Sequence, residues 1–161
     1  MLSNGLRAID FFKTNMKNES ILPTRTLQDD ITLGYRNEDE ILPILNEYFN
    51  DEFVNTKELY NNKYFNYDFE GKTSGMRIEL KSRRNRYADY PTTLMPVHKC
   101  VSVNLCPNLF VFNFSDGLYY TEWNTNRFNT YEKKMILCNR KGRSDYKEHY
   151  MVPIADLIKI D

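Results

Sequence analysis

Tyr64-Phe65-Asn66-Tyr67-Asp68-Phe69-Glu70-Gly71-Lys72-Thr73-Ser74-Gly75-Met76-Arg77-Ile78-Glu79-Leu80-Lys81 is the stretch on which the fold turns. Its two ends alternate apolar and polar residues, the period of a strand with one buried face. Between them, Gly71 to Gly75 has the composition of a turn. The stretch predicts a β-hairpin. Phe65, Tyr67 and Phe69 share the inner face with Ile78 and Leu80, which leaves Asn66, Asp68, Glu70, Arg77, Glu79 and Lys81 on the other. A short turn centred on Thr73 and Ser74 sets Glu70 opposite Arg77, Asp68 opposite Glu79 and Asn66 opposite Lys81. Opposed residues have Cβ atoms roughly 4.5–5.5 Å apart. Glu70 and Arg77 then make a charge pair that can be purely structural. Asp68 and Glu79 are two carboxylates that repel unless one is protonated or a cation sits between them. A hard divalent ion such as Mg²⁺ suits them, with carboxylate oxygens at about 2.0–2.1 Å and water completing its shell. Lys81 adds a positive charge on the same face, able to hold a water or neutralise a phosphate oxygen.

Working outward, a second hairpin follows: Leu109-Phe110-Val111-Phe112-Asn113-Phe114, then Ser115-Asp116-Gly117, then Leu118 to Trp123. Asp-Gly between alternating aromatic runs is a strong hairpin signal. The segment from Thr92 to Cys106 between the hairpins reads as a helix or an irregular crossover. Upstream, Ile41, Leu42, Leu45 and Phe49 predict a helix over 38–49; Pro43 is tolerable if that helix begins near Glu38 to Glu40. Leu6, Ile9, Phe12 and Met16 predict an N-terminal helix over 3–17 with Ser3 as N-cap. Residues 18–34, with Pro23, read as a loop or arm. Downstream, strands are expected at Lys133–Cys138 and around His149–Val152, with a helical turn at Ile154–Ile158.

The 161 residues fit one domain, and 22 basic against 22 acidic residues give no net charge. That argues against a generic nucleic-acid coat but not against an enzyme with a local basic strip. The mean hydropathy of −0.65 and the absence of a long apolar run argue against a membrane span. The N-terminus lacks the pattern of a secretory leader, so an intracellular, non-secreted protein is expected. Cys100, Cys106 and Cys138 read as free thiols; a zinc site built from them with His98 or His149 is disfavoured by their spacing. The 12 tyrosines and 10 phenylalanines are expected to fill a β-rich core. No phosphate-binding glycine loop and no nucleophile-elbow motif occurs.

Asp68, ten residues, then Glu79-Leu80-Lys81 resembles the PD-(D/E)XK nuclease superfamily. Ile78-Glu79-Leu80-Lys81-Ser82-Arg83 is similar to its second motif, an apolar strand ending in E-x-K. The order of elements over residues 35–125 resembles its restriction-endonuclease-like αβββαβ core, and the Asp-Gly hairpin and Val152-Pro153-Ile154-Ala155-Asp156-Leu157 look most like small nucleases of bacteriophages and large DNA viruses. Asn66-Tyr67-Asp68 departs from the pattern in lacking a proline before the aspartate. The resemblance implies an α/β fold with a mixed central sheet flanked by helices, an extra N-terminal helix and arm over 1–34, a catalytic core over 35–125 and a C-terminal extension over 126–161. It implies a Mg²⁺- or Mn²⁺-dependent DNA endonuclease; duplex, junction, flap and single strand all stay open as the form it cuts, structure-specific cutting of a junction or flap among them. Asp68, Glu79 and the Leu80 carbonyl would be metal ligands, and Lys81 would activate the attacking water. An acidic residue on the preceding helix would complete the site: Glu38, on the face of Leu42 and Leu45, is preferred to Glu40. Beside that motif, Arg83, Arg84 and Arg86 in the basic run after Glu79, and Lys99 from the crossover, are the expected phosphate contacts. The partner is DNA, with no membrane. The apolar stripe of the N-terminal helix packs either on its own domain or on a second copy in a homodimer. Three other readings stay open: a non-catalytic nucleic-acid binder, an RNase, and a virion or interaction protein with a charged sheet face.

Overall fold

Leu109-Phe110-Val111-Phe112 is apolar on both sides because it runs through the middle of the molecule. We examined the protein as a computed structural model, which describes residues 27–102, 104–140 and 143–161. The expected helix over 3–17, whose apolar stripe was to pack on its own domain or on a second copy, lies outside those residues. The described elements are α1 (Leu27–Phe49), β1 (Phe53–Asn55), α2 (Thr56–Leu59), β2 (Phe69–Gly71), β3 (Arg77–Ser82), β4 (Thr92–Pro96), β5 (Leu109–Phe114), β6 (Gly117–Glu122), α3 (Thr125–Phe128), β7 (Lys133–Arg140), β8 (Arg143–Pro153) and β9 (Ile158–Ile160). Three 3₁₀ turns, Tyr87–Asp89, Val97–Cys100 and Ile154–Asp156, punctuate them.

The strands form a six-stranded sheet in the order β1-β2-β3-β5-β6-β9 and a three-stranded sheet in the order β4-β8-β7. The larger sheet is mixed: β3 and β5 are parallel, Ile78 beside Leu109 and Lys81 beside Phe112, and its other pairs are antiparallel. A parallel pair needs a crossover, and residues between Ser82 and Leu109 provide it through β4. Ile41 and Leu45 of α1 pack on Phe69, Ile78, Leu80, Leu109 and Val111. On the opposite face Phe110, Phe112 and Phe114 meet Met95, Tyr150 and Val152 of the small sheet and Phe128 of α3. Phe69, Phe110, Phe112 and Phe128 are fully buried, as expected for aromatic residues in a β-rich core.

The fold is therefore mixed α/β, but largely β, and several expectations need correction. The sheet is flanked by a helix on one face and by a second sheet on the other, rather than by helices on both. The crossover carries β4 and a 3₁₀ turn where a helix was one of the two options. Leu27 to Gly34 is helical, not loop: α1 runs 23 residues and holds Pro43 in its interior. Pro43 lacks an N–H, so one helical hydrogen bond is forgone at an exposed position where water can serve the freed carbonyl. The first hairpin strand is shorter than its alternation suggested, because bends at 66–68 restrict pairing to Phe69–Gly71. The helical turn expected at Ile154–Ile158 is confined to Ile154–Asp156, because Ile158 begins β9 and pairs with β6.

The second hairpin forms as expected, from Leu109↔Glu122 to Phe114↔Gly117. So does the register of the first, with Glu70 opposite Arg77 and Phe69 opposite Ile78. That register is fixed by its turn. Gly75 closes it at φ +68°, a conformation glycine adopts without strain. Asp51 clamps it, accepting from the Thr73 and Ser74 N–H groups, both at 3.0 Å, and from the Ser74 hydroxyl. A Cβ on Gly71 would collide with the Asp51 carboxylate, so glycine is required where this clamp crosses the hairpin.

Candidate active site

Asp68 is the residue immediately before β2, and its backbone is tied on both sides. Its N–H donates to the Ile78 carbonyl at 2.9 Å, and its carbonyl accepts from the Thr56 N–H at 2.9 Å. The side chain accepts from the Leu80 N–H at 2.7 Å. Strand β3 alternates, sending Ile78 and Leu80 into the α1 core while Glu79 and Lys81 point to the other face.

Glu79 is only 2% exposed. Its Oε1 accepts from Lys81 Nζ at 2.6 Å and lies 3.1 Å from Lys99 Nζ. Its Oε2 is buried with no hydrogen-bond partner among the described residues. Lys99 comes from the 3₁₀ turn after β4 and also donates to the Asn66 carbonyl at 2.8 Å, which locks the crossover over the hairpin. Asn66 does not reach Lys81, its expected cross-strand partner: its amide donates to the Leu105 carbonyl at 2.6 Å.

Asp68 feels its neighbours. Burial pushes its carboxyl up to about 7, the Glu79 and Glu38 charges push the same way, and Lys81 and the Leu80 N–H oppose them. The coupling to Glu38 brings the first helix into the site. Glu38 is buried, accepts from Asn55 Nδ2 at 2.9 Å and pairs with Lys57. Glu40 is exposed. Asn55 also caps α2, accepting from the Lys57 N–H at 2.9 Å. Asn55 and Lys57 escaped the sequence reading. Asn55-Thr56-Lys57 carries a legible N-cap, but that the cap faces Glu38 depends on long-range packing.

The basic run after β3 divides. Arg83 turns inward: its Nε donates to Thr93 Oγ1 at 3.0 Å, a terminal nitrogen donates to the Leu94 carbonyl, and the guanidinium lies over the Phe112 ring at 5.7 Å. Burial lowers its pKa to about 10. Arg83 ties β3 to β4, and its expected role as a phosphate contact is not supported by this placement. Arg84 and Arg86 are exposed, and Arg86 lies 3.5 Å from Asp116.

The chemistry of the carboxylates fits a divalent cation. An unpaired buried oxygen on Glu79 beside a crowded Asp68 is the arrangement that a hard cation would relieve. Among the described residues no three acidic, histidine or cysteine side chains form a ready cage. Two carboxylates, a backbone carbonyl and water are sufficient for Mg²⁺. Cys100, Cys106 and Cys138 are free thiols, burial pushes the Cys100 and Cys106 thiols up, and His149 Nδ1 is 2.8 Å from the Lys147 carbonyl. Among the described residues no helix is long and apolar enough to cross a membrane.

Comparison with known proteins assigns no family: no family model, no curated protein and no solved structure matches the chain.

Proposed function

We propose that the chain is a metal-dependent nuclease of the PD-(D/E)XK type, hydrolysing phosphodiester bonds in DNA. The observation that carries this reading is Glu79, a buried carboxylate with one oxygen unpartnered among the described residues, set beside Asp68 and flanked by two lysines. The β2–β3 hairpin followed by the parallel strand β5 supports the restriction-endonuclease-like topology.

Asp68, Glu79 and the Leu80 carbonyl would hold Mg²⁺ or Mn²⁺. The ion would stabilise charge on the phosphate and lower the pKa of a bound water. Lys81, held beside the site by Glu79, would orient the attacking water. Lys99 neutralises a phosphate oxygen. Glu38, fixed by Asn55 and Lys57, adds negative charge at the helix side of the site. Arg84 and Arg86 contact the phosphate backbone farther along.

One observation favours a second reading, a fold that binds nucleic acid without cutting it. Lys81 and Lys99 already pair with Glu79, so its charge is balanced without a metal. Incubation with duplex, branched and single-stranded DNA and with RNA, with and without Mg²⁺ or Mn²⁺, separates the two. Metal-dependent cleavage lost in Lys81→Ala supports the nuclease. Salt-dependent binding without cleavage supports the binder.

A further inference from the structure

A cleft of about 550 Å³ lies toward the turn end of the β2–β3 hairpin, outside the carboxylate site, and Tyr60, Tyr67, Glu70, Met76, Arg77 and Asn108 line it. Glu70 and Arg77 are a register pair, so they project on one face with Cβ atoms roughly 4.5–5.5 Å apart. Arg77 is two residues along β3 from Glu79, a step of about 6.7 Å. The cleft therefore adjoins the proposed phosphate site at about the scale of one nucleotide.

Its polar groups are aimed. The Tyr60 hydroxyl donates to Glu70 Oε2 at 2.8 Å and the Tyr67 hydroxyl to the same oxygen at 2.6 Å. Two donors on one oxygen orient the carboxylate and leave Oε1 as the acceptor for an incoming group. Arg77 is anchored by donation to the Asn104 carbonyl at 2.5 Å, and a guanidinium has further N–H groups to present. Tyr60 supplies an aromatic surface: Phe65 stacks on one face at 4.3 Å and 9°, yet Tyr60 is still 44% exposed.

A carboxylate acceptor beside a guanidinium donor, under an aromatic ring, complements a flat heterocycle that carries an amino group next to a ring-nitrogen acceptor. We propose that this cleft is a subsite for an unpaired cytosine or adenine adjacent to the phosphate at the carboxylate site. The amino group donates to Glu70 Oε1, the ring nitrogen accepts from Arg77, and the base stacks on Tyr60. Thymine carries no amino group and can offer Glu70 only its N3–H, which requires the base to shift along its edge relative to Arg77 and Tyr60. A base paired in duplex cannot enter, so the favoured substrate has an unpaired nucleotide there. This assignment rests on the nuclease reading for its phosphate neighbour, but base selection is measured separately.

The experiment is binding of fluorescein-labelled oligodeoxycytidylate, oligodeoxyadenylate and oligothymidylate to the full chain in Ca²⁺, followed by anisotropy. The deoxycytidylate and deoxyadenylate strands are expected to bind about tenfold more tightly than the thymidylate strand, the scale of one good base-edge contact. Glu70→Gln reduces that ratio toward one. Tyr60→Leu, at an exposed ring whose loss leaves the core intact, weakens all three strands by removing the stacking surface, while Tyr60→Phe keeps it. Equal binding of the three strands by the native protein, or an unchanged ratio in Glu70→Gln, overturns the subsite. Base selection without any Mg²⁺-dependent cleavage leaves the subsite standing and removes the nuclease reading; cleavage without base selection does the reverse.

Discussion

Glu79 is buried with one oxygen paired to Lys81 and Lys99 and the other without a partner among the described residues, and Asp68 beside it is pushed up to about 7. If these groups position water and charge for hydrolysis, Lys81→Ala and Asp68→Ala each reduce cleavage by about 10²-fold or more, while circular dichroism shows an unchanged fold. Retained cleavage in either variant places the chemistry elsewhere. Arg83 belongs to a different class from its neighbours. Arg83→Ala removes hydrogen bonds from a buried charged group, so unfolding in urea should show a loss of about 2 kcal/mol. Arg84→Ala and Arg86→Ala leave stability unchanged and flatten the salt dependence of DNA binding. The reverse pattern, with Arg83→Ala stable and weak in binding, contradicts the inward placement. The sequence made Asp68, Glu79 and Lys81 legible because strand alternation alone puts them on one face. It could not separate Arg83 from Arg84, because β3 ends at Ser82 and the chain direction beyond it depends on where β4 docks. Lys57 and Asn55 were illegible for a similar reason: their partner Glu38 is brought near only by packing of α1.

At the scale of elements, the hairpin register was readable because Gly71 to Gly75 permits few turns, and a one-residue slip would turn Glu79 toward the α1 core and Ile78 away from it. Asp51, which holds that turn, was not readable, since nothing local connects it to Ser74. The Ser74 hydroxyl, with the Thr73, Ser74 and Glu52 N–H groups, holds the Asp51 carboxyl well below the ordinary aspartate range. A carboxyl with a lowered folded-state pKa contributes stability that is present above its unfolded value, about 4, and lost as pH falls below it. Asp51→Ala therefore removes part of the acid-dependent loss: native and variant stabilities converge as pH falls below about 4 and differ most near neutrality. A constant difference across that range contradicts the clamp. The extent of α1 has its own test. Pro43 in a helix interior costs up to about 3 kcal/mol relative to alanine, so Pro43→Ala should raise the melting temperature. No change would mean that the helix begins near Glu40, as the sequence first suggested. Three-residue strands such as β1 and β9 carry too little periodicity to read, and Ile158-Lys159-Ile160 suits a helical turn and a strand equally.

For the whole molecule, the mixed sheet and its two packed faces follow from Leu109 to Phe114, which is apolar on both sides and must be covered on both. Which layer covers which side was not legible, because the small sheet joins β4 of the crossover to β8 near the chain end, a pairing between Thr92 and Pro153 that no local pattern records. That small sheet also anchors the crossover from which Lys99 reaches Glu79, so the carboxylate site depends on packing across the whole domain. The measurement that tests the central claim most directly is cleavage of supercoiled, branched and single-stranded DNA by the native protein in EDTA, Mg²⁺ and Mn²⁺, with Asp68→Ala prepared in parallel. The account predicts hydrolysis by the native protein only with the divalent ion, and about 10²-fold or more reduced in the variant. Cleavage that persists in EDTA, cleavage by Asp68→Ala at the native rate, or no cleavage of any substrate with either ion would contradict it.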